Sequence, residues 1–205
     1  KMINLMYVVL MAMLALNVST EVLNGFSIVE ESLNRTTNNS SKENQALYSD
    51  FEAQMKSNPE KVKAWFDKAR EVRRMSDSLY NFADELKIAI VKEADGKNGD
   101  VHNIVSKEDL EASTQVMLAP GRGQGKQLFN SINSFRERIL KMISDEGQKA
   151  IIRSNLSTQI PKKAHALGKN WQEYLFENMP VAAAVTLLSK LQSDVRYAEG
   201  EVLHT

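Results

Sequence analysis

The 205-residue sequence predicts an all-α chain, with a single amino-terminal transmembrane helix over residues 1–19 continuing into a four-helix bundle outside the membrane over residues 20–205. Three observations predict it. The run from Met2 to Val18 holds no charged residue, apolar residues recur every seven positions in two later stretches, and no alternating strand pattern competes with them.

The first element is the run MINLMYVVLMAMLALNV, in which only Asn4, Tyr7 and Asn17 are polar. At 1.5 Å per residue it covers about 25 Å, and Ser19 and Thr20 extend it toward the roughly 30 Å of a hydrocarbon core. A cleaved signal peptide is the competing reading, but no small-residue cleavage site follows. Lys1 in front and Glu21 behind favour a cytoplasmic amino end, which puts the bulk of the chain outside. The numbering opens on Lys1 and not on Met, so residues upstream are expected. The span has no Asp, Glu or His, and its one titratable side chain, Tyr7, has a reference pKa of about 10. Any ion carriers are therefore expected on a partner or ahead of Lys1.

Leu14, Val18, Val22, Phe26, Val29 and Leu33 continue the helical spacing past the membrane. The polar stretch RTTNNSSKEN follows, then Leu47, Phe51 and Met55 at steps of four, and one long helix through all of it is the preferred reading. Ser57, Asn58 and Pro59 end that helix and start the next. The second helix runs to about Ala94, with Trp65, Val72, Leu79 and Leu86 on a seven-residue repeat. ADGKNGD is turn chemistry, and Ser106 with Asp109 suggests a capped short helix to about Thr114. A third long helix is expected from Lys126 to Leu156, with Leu128, Ile132, Phe135 and Ile139 along one side. Pro180 starts the last helix, in which Val181, Leu188, Val195 and Val202 alternate with Ala184, Leu191 and Ala198 in an unbroken heptad. Just before it, Trp171, Tyr174, Leu175 and Phe176 form an aromatic knot, expected to pack in the core. Trp65, Trp171, Leu188, Leu191 and Val195 are the candidate bundle or dimer packing residues.

Catalytic chemistry has little to stand on. There are no cysteines, which excludes disulfides and thiolate sites. His102, His165 and His204 are scattered and fit no ligand spacing. Lys plus Arg and Asp plus Glu are each 26, so the chain lacks the basic footprint of a nucleic-acid binder. GRGQGK invites a phosphate-loop reading, but Pro120 stands where that pattern needs Gly and Gln127 where it needs Ser or Thr. No catalytic residue, metal ligand, cofactor or small-molecule substrate is assigned, and a non-enzymatic role is expected.

KMINLMYVVLMAMLALNVSTEVLNGF at the front and NWQEYLFENMPVAAAVTLLSKLQSDVRYAEGEVL near the back resemble the GldM/PorM family. The resemblance implies a cytoplasmic amino end, one inner-membrane helix and a helical first periplasmic domain, with further periplasmic domains downstream. It also implies a homodimer whose membrane helices stand inside a ring of a GldL/PorL-like multi-spanning partner. Proton motive force would there drive type IX secretion and gliding, with motion passed to downstream periplasmic components. On that expectation Asn4, Tyr7, Met11, Leu14 and Asn17 include the contacts to the ring, and the helix through Phe26 and Leu33 acts as a shaft. A static periplasmic tether and a membrane-anchored sensor module are the alternatives. The sensor is disfavoured because no second apolar span follows before Thr205.

Overall fold

The computed structural model describes residues 4–7 and 19–205, and its regular structure is helical. The first helix, α1, spans Thr20–Ser57 without a break, so the polar stretch after Leu33 stays helical as expected. Ser19, extended at φ −67° and ψ 151°, opens it by accepting the Val22 amide at 3.2 Å, so α1 starts with its own cap and the expected unbroken helix into Phe26 and Leu33 is interrupted at Ser19. Asn58 interrupts the helix, and Pro59, which needs no amide partner at a first turn, begins α2 over Pro59–Asp95. Gly96, with φ of 89°, ends α2 in a conformation open to glycine.

The loop that follows is tied down by Asp95, whose carboxylate accepts the Val105 and Ser106 amides at 2.8 Å each. These two bonds outweigh partial burial and hold the Asp95 pKa below its usual value. With the Ser106 amide so occupied, α3 begins later than Ser106, at Glu111, and runs to Leu118. Asp109 receives its first amides, those of Glu111 at 2.8 Å and Ala112 at 3.1 Å.

The expected third long helix is divided in two. Helix α4 spans Gln124–Met142 and α5 spans Glu146–Asn155. The break falls at Ile143, which is extended and buried, and Asp145 restarts the helix by accepting the Gln148 amide at 2.8 Å. Two short helices, α6 (Lys162–Ala166) and α7 (Trp171–Phe176), precede α8 (Val181–Leu203). A reciprocal capping box between Asn170 and Glu173 fixes the start of α7.

Helix α8 is last in sequence and central in space, packing most extensively against α1 and α2. Its heptad residues Val181, Ala184, Leu188, Val195, Ala198 and Val202 are all buried in one contiguous apolar core with Val72, Leu79, Leu86 and Ile90 of α2. The core is closed on the other side by Val116 and Met117 of α3, by Leu128, Ile132, Phe135 and Ile139 of α4, and by Ile152 of α5. Phe26 and Glu30 of α1 meet Thr186 and Ser189, while Tyr48 meets Glu199, so α1 and α8 run in the same direction. Helix α2 returns antiparallel between these levels, with Ser76 near Glu199 and Lys87 near Gln192.

The expected transmembrane run lies largely outside the described residues, among which no helix is long and apolar enough to cross a membrane.

Candidate functional site: a buried polar seam

Helix α1 turns an unexpected face to the bundle. Val22 and Val29, on the apolar stripe that continues from the first element, are each 49% exposed. The buried α1 residues are Leu23, Thr37, Asn44 and Tyr48. Helix α8 buries polar residues among its apolar heptad: Ser189 and Glu199, which meet Glu30 and Tyr48 of α1, and Gln192, which meets α2. The seam runs from Phe26 to Tyr48, about 33 Å of helix.

At the end nearer the α1–α2 connection, Glu199 is 2% exposed and takes three donors. Its Oε2 accepts the Tyr48 hydroxyl at 2.5 Å, and its Oε1 accepts Ser76 Oγ at 2.7 Å and Arg196 Nη1 at 3.0 Å. Arg196 Nη1 also donates to Asp77 Oδ1 at 2.8 Å, and its guanidinium lies 4.2 Å from the Tyr80 ring centre. Burial opposes the Arg196 charge, but Asp77 and Glu199 more than compensate and hold its pKa above the ordinary value. Burial, followed by the adjacent Glu199 carboxylate, pushes the Tyr48 hydroxyl far above its usual range, so it stays a donor.

At the other end, Lys87 is 4% exposed and donates to Gln192 Oε1 at 3.0 Å, with Glu30 Oε1 at 3.6 Å. Glu30 Oε1 also accepts Ser189 Oγ at 2.7 Å and Asn34 Nδ2 at 2.8 Å. Desolvation lowers the Lys87 pKa, against the pull of Glu30 and Asp84. Between the two ends, Asn44 Nδ2 donates to the Arg196 carbonyl at 3.0 Å. Gly200 permits that approach, because a Cβ there would stand 2.9 Å from Asn44 Oδ1.

This arrangement fixes the register and azimuth of α1 on the bundle. Its ionised groups already face opposite charges, and no group of three or more metal-ligating side chains occurs among the described residues. A larger open cleft of about 940 Å³ lies elsewhere, between α2 and α4. Beside it Glu71 pairs with both Arg74 and Arg138, one from each wall.

Of the residues singled out in the sequence, Asn4 and Tyr7 are helical and exposed, while Met11, Leu14 and Asn17 fall outside the described residues. Leu188 and Val195 are in the core and Leu191 is partly buried against it. Trp171 is buried, with Phe129 and Phe176 ring centres at 5.9 and 6.0 Å. Trp65 is instead 50% exposed, one turn before Ala69, where the α2 part of the core begins, with Lys68 Nζ 5.3 Å from its ring. The seam residues Glu30, Lys87, Gln192, Arg196 and Glu199 were not singled out. A signal for them exists in the spacing of Ser189, Gln192, Arg196 and Glu199 at steps of three and four, and of Glu30, Thr37 and Asn44 at steps of seven.

The sequence model of one protein family, described as the GldM N-terminal domain, matches residues 21–205. No curated protein matches the chain.

Proposed function

The chain belongs to the GldM family of gliding-motility and type IX secretion components through its amino-terminal domain, and from this premise we propose that it is a non-enzymatic subunit of an inner-membrane motor driven by proton motive force. In this reading the uncharged run ahead of Ser19 anchors the chain, with its amino end in the cytoplasm. Two copies place their membrane helices inside a GldL/PorL-like ring, which Asn4, Tyr7, Met11, Leu14 and Asn17 face. The ring carries the protons and this chain carries the motion, handing it to downstream periplasmic components. Helices α1, α2, α4 and α8 serve as the four members of the bundle.

The observation that carries the reading is α1, a single helix of 38 residues that begins directly after the uncharged run. A helix transmits rotation or axial pull only if its far part is held against turning and slipping. An apolar stripe tolerates small slips, whereas hydrogen-bonded polar pairs specify one register. The seam from Glu30 to Tyr48 supplies such pairs on α1, and α8 carries the load into the core.

The test is a mild-detergent pull-down of the tagged protein from its native host, with mass spectrometry of what co-purifies. Recovery of a multi-spanning membrane protein bearing intramembrane carboxylates, in fixed ratio to a dimer of this chain, is the expected result. Recovery of this chain alone, under conditions that preserve other membrane complexes, would refute the motor reading. Continued function after collapse of the proton gradient would identify a static tether.

A further inference from the structure

We infer that α1 is a releasable strap, which undocks from α2 and α8 as a unit while the remainder of the domain stays folded. The distribution of the core carries this. Among the described residues, Tyr48 is the single α1 member of the contiguous apolar core, flanked by the partly buried Leu47 and Phe51. The rest of that core comes from α2 onward, through to α8. Lifting α1 away would leave that body intact.

The side-chain hydrogen bonds and the ion pair of α1 reach polar groups on the bundle: Glu30 meets Lys87 and Ser189, and Tyr48 meets Glu199. Each of these groups finds new partners in water when uncovered. The hydrophobic term, proportional to apolar area, therefore changes far less than it would for loss of α8. A seam of this kind is specific in register and modest in free energy, which is the signature of a sub-global opening. Two further features favour release. Thr37 is 2% exposed and its hydroxyl has no hydrogen-bond partner among the described residues, so docking strands a polar atom. The stretch from Asn34 to Gln45, NRTTNNSSKENQ, is poor in strong helix formers, so an undocked α1 does not hold its own hydrogen bonds there.

Native-state amide exchange on the whole chain in detergent micelles tests the inference, and its readout is independent of whether the chain serves a motor. Amides of residues 27–48 are expected to exchange through an opening with small denaturant dependence, ahead of those around Ile90, Leu188 and Val195. Thr37→Val keeps the side-chain shape and removes the stranded hydroxyl, and should slow exchange of residues 27–48 about tenfold while leaving residues 181–203 unchanged. Exchange of α1, α2 and α8 in one common step, shifted equally by Thr37→Val, would overturn the strap.

Discussion

The contact between Tyr48 and Glu199 offers the sharpest energetic test of the seam. Glu199 takes the Tyr48 hydroxyl at 2.5 Å, Ser76 at 2.7 Å and Arg196 at 3.0 Å. Glu199→Gln keeps the volume and offers one carbonyl oxygen in place of two acceptors, so at least one of these donors meets an amide NH2. A hydrogen bond to a charged group contributes about 1.5–3 kcal/mol, and that is the expected loss. Tyr48→Phe removes the donor and leaves Glu199 with Ser76 and Arg196, for an expected cost of about 1–2 kcal/mol. If the two side chains act through each other, the double variant costs less than the sum, with a coupling of about 1–2 kcal/mol. The assay is urea unfolding in a Trp65→Phe background, followed by fluorescence of Trp171, which is buried against Phe129 and Phe176. Additivity within about 0.5 kcal/mol, as for independent sites, would refute the argument that this bond anchors α1 to α8.

Three other outcomes are expected. Gly200→Ala places a Cβ 2.9 Å from Asn44 Oδ1 and turns that side chain off the Arg196 carbonyl; the lost bond, about 1 kcal/mol, is offset by about 0.5–1 kcal/mol of helix propensity, so Tm should move little. Because the folded-state pKa of Tyr48 is raised, its contribution to stability is complete below the unfolded value of 10.0 and is lost as pH rises above it. Unfolding free energies measured from pH 8 upward should therefore decline more steeply in the wild type than in Tyr48→Phe. Under the motor reading, Met11→Asp puts a charge into the anchoring run, at a cost of about 2.5–3.5 kcal/mol at a helix centre, and should abolish both complex recovery and secretion. Normal yields of both would remove Met11 from the packed surface.

The helical class and the heptad of α8 were legible because burial against neighbours leaves a seven-residue apolar signature, and Val181, Leu188, Val195 and Val202 are all buried. The polar seam was not. A heptad accounts for one face of a helix, and Gln192, Arg196 and Glu199 lie off it, where the default expectation is solvent. That default fails for a central helix surrounded by neighbours, whose second face is buried too. On α1 the apolar stripe runs through Val22 and Val29, whereas Asn44 is buried against α8, with its hydrogen bond to the Arg196 carbonyl 152 residues away in the chain. The break of the third helix rested on a local cue, Asp145 three residues before Gln148, masked by apolar periodicity running through Met142 and Ile143.

The placement of the final helix at the centre bears on how the chain reaches its native state. Tyr48 and Glu199 are 151 residues apart, and Ser76 and Glu199 are 123 apart. A chain that emerges from its amino end completes α1 and α2 long before the helix they both clasp exists. Until then the apolar side of α2, with Val72, Leu79, Leu86 and Ile90, has no lasting cover, and the interval is one of exposure to aggregation or to chaperones. Assembly of the domain is accordingly gated by delivery of residues 181–203, and truncations within that segment should leave the first two helices made but without a place to dock.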